Sequence, residues 1–334
     1  MSERKLATID TISDLRQIPG ADAIECATVR GWNVVVKKDE FKVGDQCVYI
    51  EIDSLLPLDN PHFGFLRRRG DDKSTQFRLR TVKLRGQISQ GIAFPVSILN
   101  NETPQNGDDV TQSLGITKYE PYTPVVLSGI VKGNFPSFIP KTGEDRIQNV
   151  YGRIQKYSNH IFYMTEKLDG TSATFYHNYG KFGVCSRNLE LQNDDNNLYW
   201  KMARELDLER TLPGTRMNIA IQGEIIGPGV QKNRLHRENV EFYAFRAYDI
   251  DNNKALGFDE FISVTDALCI NRVPILGVDL YAERSRYELI ALAVRNSVLS
   301  TKDKAEGIVF RTINQEPYIS FKSINNEYLL KHGE

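Results

Sequence analysis

The sequence is poor in the residues that build disulfide frameworks and zinc sites. Its 334 residues include only 4 cysteines and 5 histidines. The cysteines, Cys26, Cys47, Cys185 and Cys269, are far apart and have no paired spacing, and the histidines show no metal-ligand spacing. We therefore expect neither a disulfide framework nor a zinc site, which suits a reducing compartment.

Long apolar runs are also lacking. No stretch approaches the roughly 20 apolar residues that span a bilayer, and no signal peptide opens the chain. We expect a cytoplasmic protein without a membrane partner. The formal net charge is -1, so any strongly charged binding surface has to be local.

What the sequence does contain is a lysine placed for covalent chemistry, in the stretch Thr165–Gly170. The apolar and aromatic residues 161–164 predict a strand, so Lys167 would lie where a buried strand opens into a turn. A lysine two residues before Asp-Gly can act as a nucleophile that takes up a nucleoside monophosphate. Alone, the motif favours an ordinary charged turn.

Four further polar signals follow in a fixed order, and together they weaken that alternative. Each has a local setting that suits phosphate, nucleotide or metal contacts: an arginine in a polar turn, an acid on an aliphatic strand, an aromatic strand, and a strand-end acid followed by a strand-borne lysine. The residues concerned are Arg187, Glu224, Phe245, Glu306 and Lys322.

These motifs resemble those of the covalent nucleotidyltransferases, which include ATP-dependent ligases and mRNA capping enzymes. The resemblance covers residues 151–331, and the spellings Gly223-Glu224 and 227–233 are similar to RNA ligases. Only twelve residues follow Lys322, so we expect no OB domain after the last motif, and the extra mass lies before Lys167. This order is similar to that of the Deinococcus- and Naegleria-type RNA ligases.

The resemblance implies a role for each matching residue. Lys167 would be the nucleophile, and Lys322 would assist it at the α-phosphate. ATP and Mg²⁺ or Mn²⁺ would be the cofactors. The implied metal ligands, acting through water, are Asp169, Glu224 and Glu306. The implied cofactor-binding residues are Glu166, Asp169, Gly170, Arg187, Glu224, Phe245, Glu306 and Lys322.

The first part of the chain is predicted to be β-rich. Short strands at 24–29, 32–36, 46–52 and 78–85 are separated by glycine turns, as in a small barrel such as an OB fold. We expect an α+β protein: an OB-fold β-barrel at 1–125, then a nucleotidyltransferase (ATP-grasp-like ligase) domain of antiparallel sheets and helices at 126–334. Helices are predicted around 198–206, at 259–268 and at 284–298.

A basic cluster in the predicted barrel is a candidate nucleic-acid surface. Alternation along 78–85 would place charged side chains on one exposed face, and nearby aromatics could stack on bases. A solvated edge that discourages strand pairing is an equal alternative. The candidate contacts are Arg78, Arg80, Lys83 and Arg85, with Phe63, Phe65 and Phe77 as candidate stacking residues.

The sequence therefore predicts an ATP-dependent RNA ligase that seals nicks or breaks in RNA-containing duplexes with 5′-phosphate and 3′-hydroxyl ends, and that works as a monomer. Two alternatives remain open at this point. One is a GTP-dependent, capping-type guanylyltransferase, and the other is a non-catalytic nucleic-acid-binding protein that retains the fold.

Overall fold

The computed structural model describes residues 4–67, 73–99, 105–119, 130–314 and 316–332. The chain separates into two compact units, Met1–Pro121 with Leu329–Glu334, and Tyr122–Tyr328. The expected boundary between residues 125 and 126 lies outside the described residues, as do Arg68 and Arg69, two further basic residues that precede the predicted strand at 78–85.

The first unit is built from short strands, as predicted. They are β1 (Ala7–Gln17), β2 (Ile24–Val29), β3 (Trp32–Lys37), β4 (Gln46–Ile50), β5 (Ser54–Pro57), β6 (Gln76–Arg78), β7 (Val82–Leu84), β8 (Gln87–Ser89), β9 (Ile92–Pro95) and β10 (Thr117–Lys118). They form sheets in the orders β3-β2-β1-β4-β9, β10-β5-β6 and β7-β8. β1 pairs with β4 through its first half and with β2 through its second, and its pairing with β2 has a register shift between Ile12 and Asp14. A bulge of this kind bends a strand and lets one sheet curl.

The strand predicted at 78–85 is wrong as one element. β6 ends at Arg78 and joins the β5 sheet, whereas β7 pairs only with β8 in a separate two-stranded ribbon. The turn of that ribbon is Arg85-Gly86, with φ of 48° and 86°. Two consecutive residues with positive φ are typical of a two-residue hairpin turn, so local turn geometry overrides the apparent alternation.

The second unit contains two antiparallel sheets. Its strands are β11 (Val131–Asn134), β12 (Asp145–Arg146), β13 (Phe162–Lys167), β14 (Thr171–Asn178), β15 (Lys181–Cys185), β16 (Leu189–Leu191), β17 (Ile219–Ile226), β18 (Glu241–Asp249), β19 (Lys254–Ala255), β20 (Ile275–Asp279), β21 (Gly307–Thr312) and β22 (Ser320–Ile324). The orders are β11-β16-β15-β14-β17-β18-β19 and β12-β22-β21-β13-β20, and the short β12–β22 pair is parallel.

Helices cover the outer faces of these sheets. They are α1 (Ile147–Ile154), α2 (Leu198–Glu205), α3 (Leu208–Thr211), α4 (Phe258–Ala267), α5 (Arg286–Ala291) and α6 (Asn326–His332). The predictions near 198–206 and 259–268 are confirmed by α2 and α4. The prediction of a helix over 284–298 is wrong in length, because α5 ends at Ala291 and the chain then turns. Among the described residues, none of these helices has the length and apolar character that crossing a membrane requires.

Each sheet of the second unit buries one face in its own core. The seven-stranded sheet packs Phe175, Ile221 and Phe242 against α2 and α4. The five-stranded sheet packs Phe162, Phe310 and other apolar residues with α1 and α5. Lys167 and Lys322 lie on the opposite face of the five-stranded sheet, and Glu224 lies on the opposite face of the seven-stranded sheet.

Candidate active site

Strand pairing brings the two predicted lysines onto one face of the five-stranded sheet. Lys167 is the last residue of β13 and pairs with Gly307, while Thr165 pairs with Val309. Val309 also pairs with Lys322 of β22. Directly paired residues share a face, and side chains two apart along a strand do so too, so Lys167 and Lys322 point the same way.

Alternation also explains why Glu166 does not join them. Its side chain points to the opposite face, where it is 2% exposed. Ser297 donates its hydroxyl hydrogen bond to Glu166, and the Val298 backbone amide donates another, at 2.8 Å. The structure therefore places the Glu166 side chain in a buried contact with the 297–298 segment rather than beside Lys167.

The nearest partner of the Lys167 amine is a carboxylate. Lys167 Nζ donates to Glu306 Oε2 at 2.6 Å, and the two side chains are 26% and 14% exposed. Glu306 directly precedes β21, whose first residue Gly307 is the strand partner of Lys167. The strand-end acid of the sequence thus reaches the strand-end lysine because the two strands are neighbours.

A second carboxylate, Glu224, comes from the seven-stranded sheet. It lies on β17, whose neighbour β14 begins immediately after Gly170. A Cβ added to Gly170 would overlap the Ile225 carbonyl oxygen and crowd the Glu224 side chain. Glycine therefore allows the turn after Lys167 to approach the strand that carries Glu224.

The third carboxylate, Asp169, is held by residues that the sequence reasoning missed. Arg234 Nη1 donates to Asp169 Oδ2 at 2.8 Å and to the Tyr328 hydroxyl at 2.7 Å, and Tyr328 also hydrogen-bonds Asp169. Arg234 follows directly on the RNA-ligase-like stretch 227–233. That adjacency was an available signal for Arg234, whereas nothing local marks Tyr328.

These charges shift the protonation of the groups around Lys167. Burial lowers the pKa of Lys167, but the attraction of Glu306 and Glu224 outweighs it, so the net pKa is raised. Burial raises the pKa of Glu224 to about 8, with further contributions from Glu306 and Asp169. Burial, Lys167 and Arg146 lower the pKa of Lys322 to about 7. The site thus concentrates charges of both signs in a partly desolvated space.

The predicted aromatic residue, Phe245, sits at an irregularity of β18. Gln222 pairs with Arg246 and Gly223 with Ala244, so Phe245 is the extra residue of a β-bulge. It packs against Leu168 and its neighbours and stays half-buried. Bulges re-aim side chains and are frequent beside active sites. Simple alternation along the strand would not have placed this ring.

A buried arginine lies close to the Phe245 ring. Arg311, 2% exposed, lies with its Cζ 5.4 Å from the centre of the Phe245 ring. It donates to Glu144 Oε1 at 2.9 Å and to Thr165 Oγ1 at 3.0 Å. Sequence reasoning missed Arg311 and Glu144, because two charges 167 positions apart show no pairing signal in the sequence.

Arg187 lies at the edge of this cluster. It is exposed in the turn between β15 and β16, and it is near enough to Glu224 to lower the pKa of that carboxyl in part. Its role as a phosphate or ribose contact stays a prediction.

The candidate RNA contacts in the first unit separate into two kinds. Arg78 is already engaged, because Nη2 lies 2.9 Å from Asp53 Oδ1 and the guanidinium stacks 3.7 Å from the Tyr119 ring centre. Arg80, Lys83 and Arg85 are exposed.

The candidate stacking aromatics also differ in exposure. Phe63 is fully buried and packs with the half-buried Phe77 in the core of this unit, whereas Phe65 is 68% exposed. The expectation that Phe63 could stack on a base is therefore wrong, since the apolar core takes that ring.

Lys167 thus lies at a strand end among three carboxylates, and Lys322 lies on the same sheet face. This arrangement fits the covalent nucleotidyltransferases. A family model described as RNA ligase matches residues 160–324, and one described as an OB-fold domain matches residues 6–96. No curated protein matches the chain.

Solved structures give the same result over the full length. An alanine mutant of Naegleria gruberi RNA ligase in the apo form is 40% identical, with a TM-score of 0.93, covering 100% of this chain and 99% of that one. A second mutant of that enzyme, with ATP and Mn, is 40% identical, with a TM-score of 0.93 and coverage of 98% and 99%. The structure of Naegleria gruberi RNA ligase with pyrophosphate is 40% identical, with a TM-score of 0.92 and 99% coverage of each chain. The chain belongs to the RNA ligase family, and its first unit is an OB-fold domain.

Proposed function

We propose that the protein is an ATP-dependent RNA ligase that works through a lysyl-AMP intermediate. The Lys167 nitrogen attacks the α-phosphorus of ATP, a nitrogen–phosphorus bond forms, and the bond to pyrophosphate breaks with its electrons leaving on pyrophosphate. AMP then passes to an RNA 5′-phosphate, and a 3′-hydroxyl displaces it. The observation that carries this proposal is the Lys167 amine, held 2.6 Å from Glu306 at a strand end.

The protonation of Lys167 indicates what else the first step requires. Attack needs the neutral amine, yet the carboxylates Glu306 and Glu224 raise the Lys167 pKa despite burial. Glu224 itself has its pKa raised to about 8 by burial and by neighbouring acids. Several carboxylates close together around Lys167 suit the binding of a hard divalent cation such as Mg²⁺ or Mn²⁺.

The donor set fits that cation in a water-mediated form. In the described ranges, no group of three or more His, Cys, Asp or Glu side chains could hold a metal ion directly. Asp169, Glu224 and Glu306 would therefore hold it through its hydration shell. When bound, the cation would supply positive charge that lowers the Lys167 pKa and offsets charge on the phosphates.

The remaining residues bind and orient ATP in this proposal. Lys322 shares the sheet face of Lys167 and contacts the α-phosphate, whose negative charge keeps its amine protonated. Phe245 stacks on adenine through the ring face that Arg311 does not cover. Arg187 contacts phosphate or ribose oxygens through its planar fork.

We propose that the OB-fold domain, with its boundary near residue 125, binds the RNA backbone through Arg80, Lys83 and Arg85. Their exposure and positive charge support this, whereas Arg78 is committed to Asp53 and Tyr119. Phe65, 68% exposed, is the stacking residue. The substrate is an RNA-containing duplex with 5′-phosphate and 3′-hydroxyl ends at a nick or break, and the enzyme acts as a monomer.

Intact-mass measurement tests the first step. The protein is first treated with pyrophosphate to remove AMP bound during expression, then incubated with ATP or GTP and Mg²⁺ or Mn²⁺. We expect an AMP-sized gain with ATP only, and none in Lys167→Ala. A gain only with GTP would indicate a guanylyltransferase, and no gain under any condition would indicate a binding protein.

Sealing of nicked duplexes tests the later steps. Duplexes with RNA or DNA on each side of the nick are supplied to pre-adenylylated enzyme without ATP. The triple variant of Arg80, Lys83 and Arg85 to glutamine should keep lysyl-AMP formation but seal more weakly, and its sealing should fall less steeply with rising salt than that of wild type, because fewer counterions are released on binding. Equal sealing by the variant at all salt concentrations would remove these residues from the RNA surface.

A further inference from the structure

Asp169, Arg234 and Tyr328 form a closed triangle of hydrogen bonds, and the function proposed above assigns no role to Arg234 or Tyr328. Arg234 Nη1 donates both to Asp169 Oδ2, at 2.8 Å, and to the Tyr328 hydroxyl oxygen, at 2.7 Å. The Tyr328 hydroxyl accepts from Arg234 and donates its own hydrogen to Asp169. All three donor and acceptor roles are consistent.

The three side chains are largely shielded from water, which strengthens the attraction between their charges. The Arg234 and Asp169 side chains are 11% and 13% exposed, and Tyr328 is 1% exposed. The Arg234 Cζ also lies 5.5 Å from the centre of the Tyr328 ring. A charged hydrogen bond in such surroundings is screened little by water or salt.

The two partners reach Asp169 from separate parts of the chain. Arg234 belongs to the loop between β17 and β18, and Tyr328 lies on α6, just after β22. Asp169 itself lies in the turn between β13 and β14, two residues after Lys167. Without these partners, the carboxylate of a turn residue would be free to change rotamer, and its charge would stay uncompensated.

We propose that Arg234 and Tyr328 are positioning residues, which fix the Asp169 carboxylate so that it can hold the hydrated divalent cation beside Lys167. This inference rests on the proposed function, because it assigns Asp169 to that cation. Arg234 occupies Oδ2, so the cation's water shell is met by the remaining acceptor capacity of the carboxylate. Partners of this kind orient ligands, and their loss costs about 10- to 100-fold in metal affinity or activity.

Two substitutions distinguish the contribution of the Arg234 charge from that of the Tyr328 hydroxyl. Arg234→Gln removes the charge and the Nη1 donor that both partners share, while Tyr328→Phe removes only the hydroxyl. Arg234→Lys restores the charge without the planar fork, so it should rescue in part. The matched control is Arg237→Gln in the same loop. Arg237 pairs with Glu241 at 2.6 Å and has no contact with Asp169 in the described structure.

The first measurement is the rate of lysyl-AMP formation in a single turnover at saturating ATP, as a function of Mn²⁺ concentration. We expect the half-saturating Mn²⁺ concentration to rise about tenfold or more in Arg234→Gln and by a smaller factor in Tyr328→Phe. Arg237→Gln should match wild type. A merely structural role would lower the melting temperature without moving the Mn²⁺ dependence.

The second measurement does not depend on turnover. In a Lys167→Met background, which cannot form the adduct, bound Mn²⁺ is counted from the loss of the free-ion signal in electron paramagnetic resonance, with AMP present in place of ATP, because ATP in solution itself removes that signal by binding Mn²⁺. The same order of weakening is expected when Arg234→Gln is added. Unchanged Mn²⁺ binding and unchanged Mn²⁺ dependence in a folded Arg234→Gln protein would overturn the inference.

Failure of the positioning role and failure of the proposed function give different results. If Arg234→Gln does not fold, Tyr328→Phe decides, and an unchanged Mn²⁺ dependence there overturns the inference. If the wild-type protein forms no lysyl-AMP at all, the proposed function fails. If wild type forms lysyl-AMP and the variants show the same Mn²⁺ dependence as wild type, only the positioning role fails.

Discussion

Replacing Glu224 by glutamine should stabilise the ligand-free protein at alkaline pH while removing its activity. Glu224 is partly buried beside Glu306 and Asp169, and its pKa is raised from 4.5 to about 8. The folded protein therefore binds one proton more than the unfolded chain between these two values. Stability associated with this group is present at low pH and is lost as pH rises through that window.

The size of the effect follows from the pKa values. A shift of this size corresponds to a ceiling of about 5 kcal/mol at 1.36 kcal/mol per unit. Water entry and side-chain movement lower this, and we expect roughly 2–3 kcal/mol at pH 9. For a unit of this length that amounts to a rise in Tm of roughly 5–10 °C. Glutamine has nearly the same shape and no charge, so packing changes little.

The assay is calorimetric or chemical unfolding of wild type and Glu224→Gln at pH 5.5 and pH 9. The difference between the two proteins should be small at pH 5.5, at most about 1.4 kcal/mol because only the first unit of the window has been crossed, and should favour the variant clearly at pH 9. Glu205→Gln, an exposed position on α2, controls for the general effect of losing a charge. A stability difference that is the same at both pH values would refute the reasoning.

Three further predictions concern neighbours of Lys167. Phe245→Leu should raise the KM for ATP in single-turnover adenylylation by roughly 5- to 100-fold, from a stacking contribution of about 1–3 kcal/mol per base, and Phe245→Tyr by much less; equal KM values would contradict adenine stacking. Arg311→Met should destabilise by roughly 3–5 kcal/mol in urea unfolding, because Glu144 is left buried and unpaired, and adding Glu144→Leu should recover part of it; a double variant less stable than Arg311→Met would contradict this. Gly170→Ala should slow adduct formation about tenfold or more, because the added Cβ would overlap a β17 carbonyl oxygen and displace the turn; Gly214→Ala, whose added Cβ meets nothing within 4 Å, should have no effect.

Burial opposes the ionisation of two groups in this site. Lys322 has its pKa lowered to about 7 and Glu224 has its pKa raised to about 8, so both are unfavourable to ionise in the ligand-free protein. Groups of this kind are typical of sites built for a charged ligand. A nucleotide and a cation would supply the missing counter-charges, and we expect both to stabilise the folded state by mass action.

The sequence by itself determined the order of domains, the strand types and the ligase motifs. The apolar runs before Lys167, around Glu224 and around Lys322 are short, lie next to turn residues and are rich in β-branched and aromatic side chains, which favours strands over helices. The type and spacing of the acids and lysines was enough to indicate phosphoryl chemistry, since few other functions need that set in that order.

Only the tertiary structure decided which of these side chains meet. The pairing register of β13, β21 and β22 puts Lys167 and Lys322 on one face and turns Glu166 to the other, and a bulge in β18 re-aims Phe245. Arg234 and Tyr328, 94 positions apart, meet at Asp169. Such contacts depend on strand register and chain crossing, which are set by packing of the whole unit rather than by local pattern.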